Sequence, residues 1–415
     1  MSLRGNSEAR GGRRRPGRLA GVAGAAALSL ALTGAVAGTA NASTARSAAQ
    51  AERQVDAQRA LLTYQALQQN LYLPQYYLYQ VDSPSSTNFY GTLWPFSNAF
   101  AATNYVAALN GAAREVAADI PAREQGLTDY YDADETGPEG QAQPPAYASE
   151  VEPPLGAGAP TYFDDNAWVA LDEMYAYGLT RDAADLRIAE NIFRFVTTGW
   201  DTNASDPCPG GVFWEDVAGS PRNTVSNAPN AEVGLLLYQA TRQASYLHWA
   251  TMMYDWTRGC LENSDGMYND HINPDGTINT ALWSYNQGTM IGAGALLYRI
   301  TRDQAYLQQA EQTATASVSY YAADNRLYSQ PDVFNAIMFR NLFYLAQITG
   351  TQAYRQMAAS YAQTAWTQDR QPDGLITDPD PTGGEAPVNQ TAPMAEIYAL
   401  LAGAPPLISV PPRHG

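Results

Sequence analysis

Two carboxylates stand side by side, Asp164 and Asp165, in the stretch "TYFDDNAWVAL" that begins at Thr161. Adjacent like charges repel, so their pairing calls for a reason. One chemistry that needs two carboxyl groups is cleavage of a glycosidic bond: one protonates the leaving oxygen, and the other attacks the anomeric carbon or activates water. Groups about 5–5.5 Å apart give retention of configuration through a covalent intermediate. Consecutive Cα atoms are ~3.8 Å apart, and side chains at i and i+1 diverge by about 100° around a helix. The pair therefore reaches the retaining separation but hardly the inverting one. Repulsion also divides the labour, because it raises one pKa and leaves that group as an acid. A bell-shaped pH profile with an acidic optimum is the expected result. The plain alternative is a capping pair that only stabilises a helix start.

Other motifs suit the same kind of cleft. "LWPFSNAF" carries Trp94, "GGVFWED" carries Trp214 and Glu215, "DGMYNDHINPDG" carries Tyr268, Asp270 and His271, and "LWSYNQG" carries Trp283, Tyr285, Asn286 and Gln287. Aromatic faces stack on the C–H faces of sugar rings, while amides and carboxylates bond the hydroxyls. The Asp-rich "NSDGMYNDHINPDG" misses the D-x-[DN]-x-[DN]-G spacing of a calcium loop, so no metal and no cofactor is expected there.

Composition removes several other classes. All 24 basic residues are Arg, which excludes a Schiff-base lysine, the P-loop lysine and the kinase strand lysine. Three His, at 248, 271 and 414, supply a three-His zinc site or a Ser-His-Asp triad poorly. A net charge of −17 argues against nucleic acid and anionic membranes as partners and favours a neutral substrate.

The first 42 residues read as a secretory signal: Arg13, Arg14, Arg15 and Arg18, an Ala/Leu-rich stretch from Leu19 to about Gly38, and an A-x-A site at Ala40-Asn41-Ala42. Its removal takes away six Arg and one Glu and moves the charge from −17 to −22. No second apolar span follows, so an extracellular, monomeric product without membrane insertion is expected. In an oxidising compartment Cys208 and Cys260 are expected to pair. Residues 43–50 are small and polar and read as a disordered linker. A single domain over 51–404 and a tail over 405–415 complete the division.

These residues need a scaffold that gathers loop ends. Four segments repeat the pattern apolar helix, short turn, second helix, with turns at Thr180, Thr241, Thr301 and Thr349. In the first, Ala167, Trp168, Leu171, Met174 and Tyr175 follow the spacing of one helical face. The turn Thr is expected to cap the second helix. Further helices at 51–71, 95–110, to about Ile120 and at 391–403 bring the total near twelve, and little strand is expected. Six hairpins closed on themselves make an all-α (α/α)6 toroid. Short turns then lie on one face. The long connections, roughly 72–94, 121–163, 198–225, 260–284, 321–331 and 370–390, lie on the other, where a site is built. Asp164 and Asp165 follow the longest of them.

Taken together, "YFDDNAWVAL", "GGVFWED" with "NTVSNAPNAEVGLLLY", and "LWSYNQGTMIGAGALLY" resemble glycoside hydrolase family 76, the endo-α-1,6-mannanases, over about residues 60–403. The resemblance implies an (α/α)6 barrel and a secreted retaining hydrolase of α-1,6-mannan, with Asp164 as nucleophile and Asp165 as general acid/base. It implies substrate contacts from Asp270, Tyr285, Asn286 and Gln287, and the motif containing Asn227 joins Trp94 and Trp214 in that group. Val169 and Pro229 depart from the family pattern and bear on the subsites. Alternatives on the same scaffold are a cell-wall transglycosidase and a non-catalytic mannan-binding protein. Enzymes of this fold that act on uronic acids match poorly a chain of charge −22.

Overall fold

A computed structural model describes residues 29–80, 89–377 and 386–407, with side chains from residue 47. The first 28 residues of the expected signal, and the tail beyond 407 with His414, lie outside the described residues. The chain divides into two compact units, Met1–Ala51 and Glu52–Gly415. In the first, the described backbone belongs to α1, which spans Ser29–Leu71. The expected linker at 43–50 falls within this helix, where its three Ala with Arg46 and Gln50 favour helix. No helix among the described residues is long and apolar enough to cross a membrane.

Among the described residues, the second unit carries eleven more α-helices. These are α2 (Leu93–Ala107), α3 (Ile120–Leu127), α4 (Phe163–Thr180), α5 (Ala183–Thr198), α6 (Thr224–Thr241) and α7 (Ala244–Leu261), then α8 (Ser284–Thr301), α9 (Gln304–Ala322), α10 (Asp332–Thr349), α11 (Ala353–Thr364) and α12 (Pro387–Ala402). The even-numbered helices pack side by side in sequence, and α12 returns to α2, so the inner ring closes. These helices are buried almost all round, which is why their apolar residues show no single face. Gly288 lets α8 approach α10, since a Cβ there would lie 2.6 Å from the Met338 Cα. The odd-numbered helices α5, α7, α9 and α11 each pack outside an inner partner. The part of α1 in the second unit, residues 52–71, completes the outer layer: Tyr64 bonds Thr103 of α2 at 3.3 Å, and Arg59 lies over the Tyr398 ring of α12 at 6.0 Å. This is the (α/α)6 barrel.

The short turns follow one design. Thr180, Thr241 and Thr301 are the last helical residues, and Arg181, Arg242 and Arg302 then adopt left-handed φ of 65°, 62° and 64°. Gly350 takes that place in the fourth turn, where a residue without Cβ avoids the penalty. The Thr residues do not cap the second helix as expected. Asp182 and Asp303 do, accepting from the Ala184 and Ala305 amides at 2.8 and 2.9 Å, while the Thr180 and Thr301 hydroxyls accept from the amides of Asp182 and Asp303.

Two departures concern the loop face. A 3-10 stretch, Gly111–Asp119, leads into α3, so helix extends past Ile120. Three small antiparallel sheets also form among the described residues, the largest joining Arg222–Asn223, His271–Ile272 and Ile278–Asn279. Cys208 and Cys260, 52 positions apart in sequence, form a disulfide with Cα atoms 6.2 Å apart. A loop of that length adds about 4 kcal/mol in the chain-entropy account. At the opposite end, the Tyr105 and Tyr175 hydroxyls donate to the Pro406 and Pro405 carbonyls at 2.6 Å, so the start of the expected tail is tied to the barrel.

Candidate active site

Asp164 and Asp165 occupy the first turn of α4, on the loop face. The chain enters that turn zipped to the loop carrying Trp214: the Phe163 amide donates to the Trp214 carbonyl at 3.0 Å, Asp216 donates to the Thr161 carbonyl at 2.9 Å, and Trp214 donates to the Pro221 carbonyl at 2.8 Å. This places the indole beside the first aspartate, where Trp214 Nε1–H donates to Asp164 Oδ2 at 3.1 Å. Asp164 Oδ1 is buried and has no partner.

The two carboxyls sit in different surroundings. Burial raises Asp164 to about 7, against the lowering effect of the Trp214 indole and the amides of Asp164 and Asp165, and Asp270 adds a smaller upward push. Asp165 is pushed well above the usual carboxylate range by burial and by the charge of Asp164, with no donor to oppose them. The pair titrates as a unit. Within it, Asp165 is the better proton holder and Asp164 the better anion. Replacing Trp214 with Phe removes a donor to the charged form. The acidic limb of the kcat/KM profile is then expected to move to higher pH, and kcat to fall by roughly 10–100-fold, the effect of losing a hydrogen bond to a charged group. A pH series of initial rates for the Trp214→Phe variant measures both.

Asp270 faces the pair from the sheet. Its amide donates to the Asn279 carbonyl at 3.0 Å, and its carbonyl accepts from the Thr224 amide at 2.8 Å. Its carboxylate meets His271 Nδ1 at 3.0 Å and accepts from Asn286 Nδ2 at 3.4 Å. Tyr285, at the start of α8, feels Asp270, Asp164 and Asp165, and with its burial they push its hydroxyl far up. Aromatic rings extend from there. Tyr285 stacks on Phe334 at 3.8 Å with planes 1° apart, and faces Trp168 at 6.4 Å; Trp168 meets Trp94 at 5.6 Å, and Trp283 meets Phe334 edge-on at 5.7 Å. Beneath Trp168, the buried Arg340 guanidinium lies 5.6 Å from the ring and 3.7 Å from Glu396.

The structure brings Asp164, Asp165, Trp214, Asp270 and Tyr285 together, with Trp94 joined through Trp168. Asn286 lies fully buried behind Asp270. Two expected substrate ligands do not reach the cleft. The Asn227 amide accepts from Val212 N–H at 2.8 Å and donates to the Val212 carbonyl at 3.1 Å. Gln287 does the same to Tyr268, both bonds at 2.8 Å. Asn166 repeats the device on Tyr147, at 3.0 and 2.9 Å, and Thr391 repeats it with one hydroxyl on Ile376. In each case a side chain from the first turns of an inner helix clamps one residue of the preceding long loop through both backbone groups. These residues position the loops. The sequence reading does not single out Phe334 as a lining residue, the buried Trp168 as the support between Trp94 and Tyr285, or the clamp role of Asn166. Their common signal is position, since each falls in the first two turns of an inner helix. The Asp-rich loop after α7 uses its side chains locally, with Asn263 and Asp275 accepting from amides two and four residues on.

Comparison with known proteins agrees with this geometry. The family model described as glycosyl hydrolase family 76 matches residues 125–392. Mannan endo-1,6-alpha-mannosidase DCW1 of Saccharomyces cerevisiae is 27% identical over 146 residues, which are 33% of this chain and 32% of that protein. The chain thus aligns with about a third of the length of such curated relatives. Among solved structures, the family 76 mannosidase Bt3792 from Bacteroides thetaiotaomicron superposes with a TM-score of 0.71 at 22% identity, over 84% of this chain and 98% of that one. An inactive variant of the Salegentibacter sp. α-1,6-mannanase GH76A, with two consecutive aspartates replaced by asparagine, was solved with α-1,6-mannotriose. It superposes with a TM-score of 0.63 at 19% identity, over 84% of this chain and 99% of that one. With a family model that spans well over half its length, the chain belongs to glycosyl hydrolase family 76.

Proposed function

We propose that the protein is a secreted, retaining glycoside hydrolase that cleaves α-1,6-mannosidic bonds in mannan, with Asp164 as nucleophile and Asp165 as general acid/base. The observation that carries this reading is the unequal setting of two adjacent carboxyls at one helix start: an indole and amides hold Asp164 toward the anion, and nothing opposes protonation of Asp165. Asp164 attacks the anomeric carbon as Asp165 gives its proton to the leaving oxygen, which forms a covalent glycosyl-enzyme. Asp165, now ionised, takes a proton from water, and that water displaces Asp164. Asp270, held by His271 and Asn286, accepts from a sugar hydroxyl, and the partly exposed Trp94, Tyr285 and Phe334 rings offer faces for pyranose stacking. The names of the curated relatives and the mannotriose bound to the Salegentibacter enzyme support an α-1,6-mannan substrate. Loss of activity in that enzyme when two consecutive aspartates are replaced supports the choice of pair.

Proton NMR of early product from linear α-1,6-mannan tests the mechanism. New chain ends are expected as the α anomer before mutarotation, together with release of reducing sugar. A β anomer as first product would mean inversion and a more distant second carboxylate, with Glu215 or Asp270 as the place to look. Longer mannosides formed with an added acceptor, in place of reducing ends, would mark a transglycosidase on the same scaffold.

A further inference from the structure

A second group of carboxylates lies away from the cleft. Glu173 is on α4, eight residues beyond Asp165 and so about 12 Å further along the axis. Ligand oxygens of Glu173, Glu124 of α3 and Asp185 of α5 all lie within 4.8 Å of one another. Glu173 is 0% exposed, and neither of its carboxylate oxygens has a hydrogen-bond partner; Asp185 is 1% exposed, and its Oδ1 is also without one. Asp185 Oδ2 accepts from the Thr180 hydroxyl at 2.8 Å. Glu124 is only partly buried, which opens the group to solvent.

No cation balances this charge from within the fold among the described residues. The charges acting on Glu173 are those of Glu124, Asp185, Asp172 and Asp182, all of one sign, and Tyr147 stands beside it. Glu124 feels only Asp185 and Asp182. Among the leading influences on the three carboxyls, the cation is the exposed Arg187, through Asp185. The barrel interior handles the same problem differently: there Asp172, Glu232 and Glu396 gather around Arg340. A buried carboxylate without partner or counter-charge is costly, and Glu173, with both oxygens unpartnered, brings one of them within 4.8 Å of a carboxylate oxygen on each of two neighbouring helices.

We propose that Glu124, Glu173 and Asp185 form a binding site for a hard divalent cation of the calcium type, which ties α3 and α5 to the inner helix α4. Three carboxylates supply three to six oxygens, water supplies the rest through the Glu124 side, and calcium accepts such an irregular set at 2.3–2.6 Å. The cation acts on the fold, not on the reacting bond. The inference stands apart from the proposed reaction, because its readout is binding and stability.

The test uses the full secreted chain, stripped with EDTA and dialysed. Calcium chloride is titrated by calorimetry, and thermal unfolding is followed with and without about 5 mM calcium. Saturable one-site binding is expected, with a rise in Tm on the order of 5 °C. Glu173→Gln is expected to abolish both and to lower Tm in calcium. Glu124→Gln, at a partly exposed position that does not threaten folding, is expected to weaken affinity at least 10-fold. No binding heat and an unchanged Tm in the unaltered protein would overturn the site. So would a Glu173→Gln variant that is more stable than its parent in calcium, because that is the behaviour of a carboxyl group held neutral by shared protons.

Discussion

Asp164→Asn and Asp165→Asn are each expected to lower turnover of α-1,6-mannan by about 10²–10⁴-fold or more, the range for loss of a positioned acid/base, with the nucleophile variant the more severe. Leaving-group dependence separates the roles. An aryl mannoside with a good leaving group needs no proton, so Asp165→Asn is expected to recover much of its glycosylation rate on it. Asp164→Asn is not, because it lacks the attacking oxygen. A near-native rate in either variant on mannan would sink the assignment. Stability is expected to move the other way. Both carboxyls have folded-state pKa values above their ordinary 3.8. Their contribution is therefore fully present below pH 3.8 and is lost as pH rises through the folded values, about 7 for Asp164. An asparagine suffers no such loss, so both variants are expected to melt a few degrees higher near pH 8 and level with the parent near pH 4. The same shifts lead to an expected optimum less acidic than the one expected from the sequence. Ionising Asp164 at about 7 while Asp165 keeps its proton puts the acidic limb of the activity profile near neutrality.

Arg222→Met is expected to cost about 3–5 kcal/mol, the usual effect of breaking a buried ion pair from one side. Arg222 is 2% exposed. Its guanidinium donates to Asp201 Oδ2 at 2.7 Å and to the carbonyls of Pro207, Cys208 and Gly210 at 2.6, 2.8 and 2.7 Å. One side chain thus holds both limbs of the loop that carries Trp214 to Asp164. Its loss removes the cation beside the buried Asp201 and the donor to the Pro207 and Gly210 carbonyls, while Asp201 Oδ1 keeps the Asn203 amide and the Cys208 carbonyl keeps the Trp256 indole. Differential scanning calorimetry is expected to show a Tm fall of roughly 5–10 °C. Activity is expected to fall as well below the melting range, because the indole is no longer fixed. A Tm unchanged from the parent would mean that water replaces the guanidinium and that the loop is held elsewhere.

Much of the architecture is legible in the residues. Helical periodicity and the repeated Thr turns locate α4 to α11 to within a few positions, because each hairpin is a local feature of propensity and spacing. The loop face follows from topology, and so does the place of Asp164 and Asp165. The strands at Arg222–Asn223, His271–Ile272 and Ile278–Asn279 were not legible. They are two residues long, and pairing between distant loops forms them, not strand propensity.

Side-chain assignments divide along the same line. An aspartate pair, a tryptophan after Gly-Gly and a Tyr-Asn-Gln run mark a cleft by residue type. Type alone does not say which way a polar side chain turns. Asn286 and Gln287 are neighbours in sequence, yet one supports Asp270 and the other clamps Tyr268. Asn227, expected on a sugar, is enclosed by Val212 and Asn223. A buried loop backbone must find hydrogen-bond partners, and the first turns of the inner helices supply them. Only the folded chain shows which amides are consumed in this way. The sequence by itself determined the ring of helical hairpins and the adjacency of the two carboxyls, both written in short-range pattern. The tertiary structure decided their inequality, because the indole that favours one anion arrives from a loop fifty residues away.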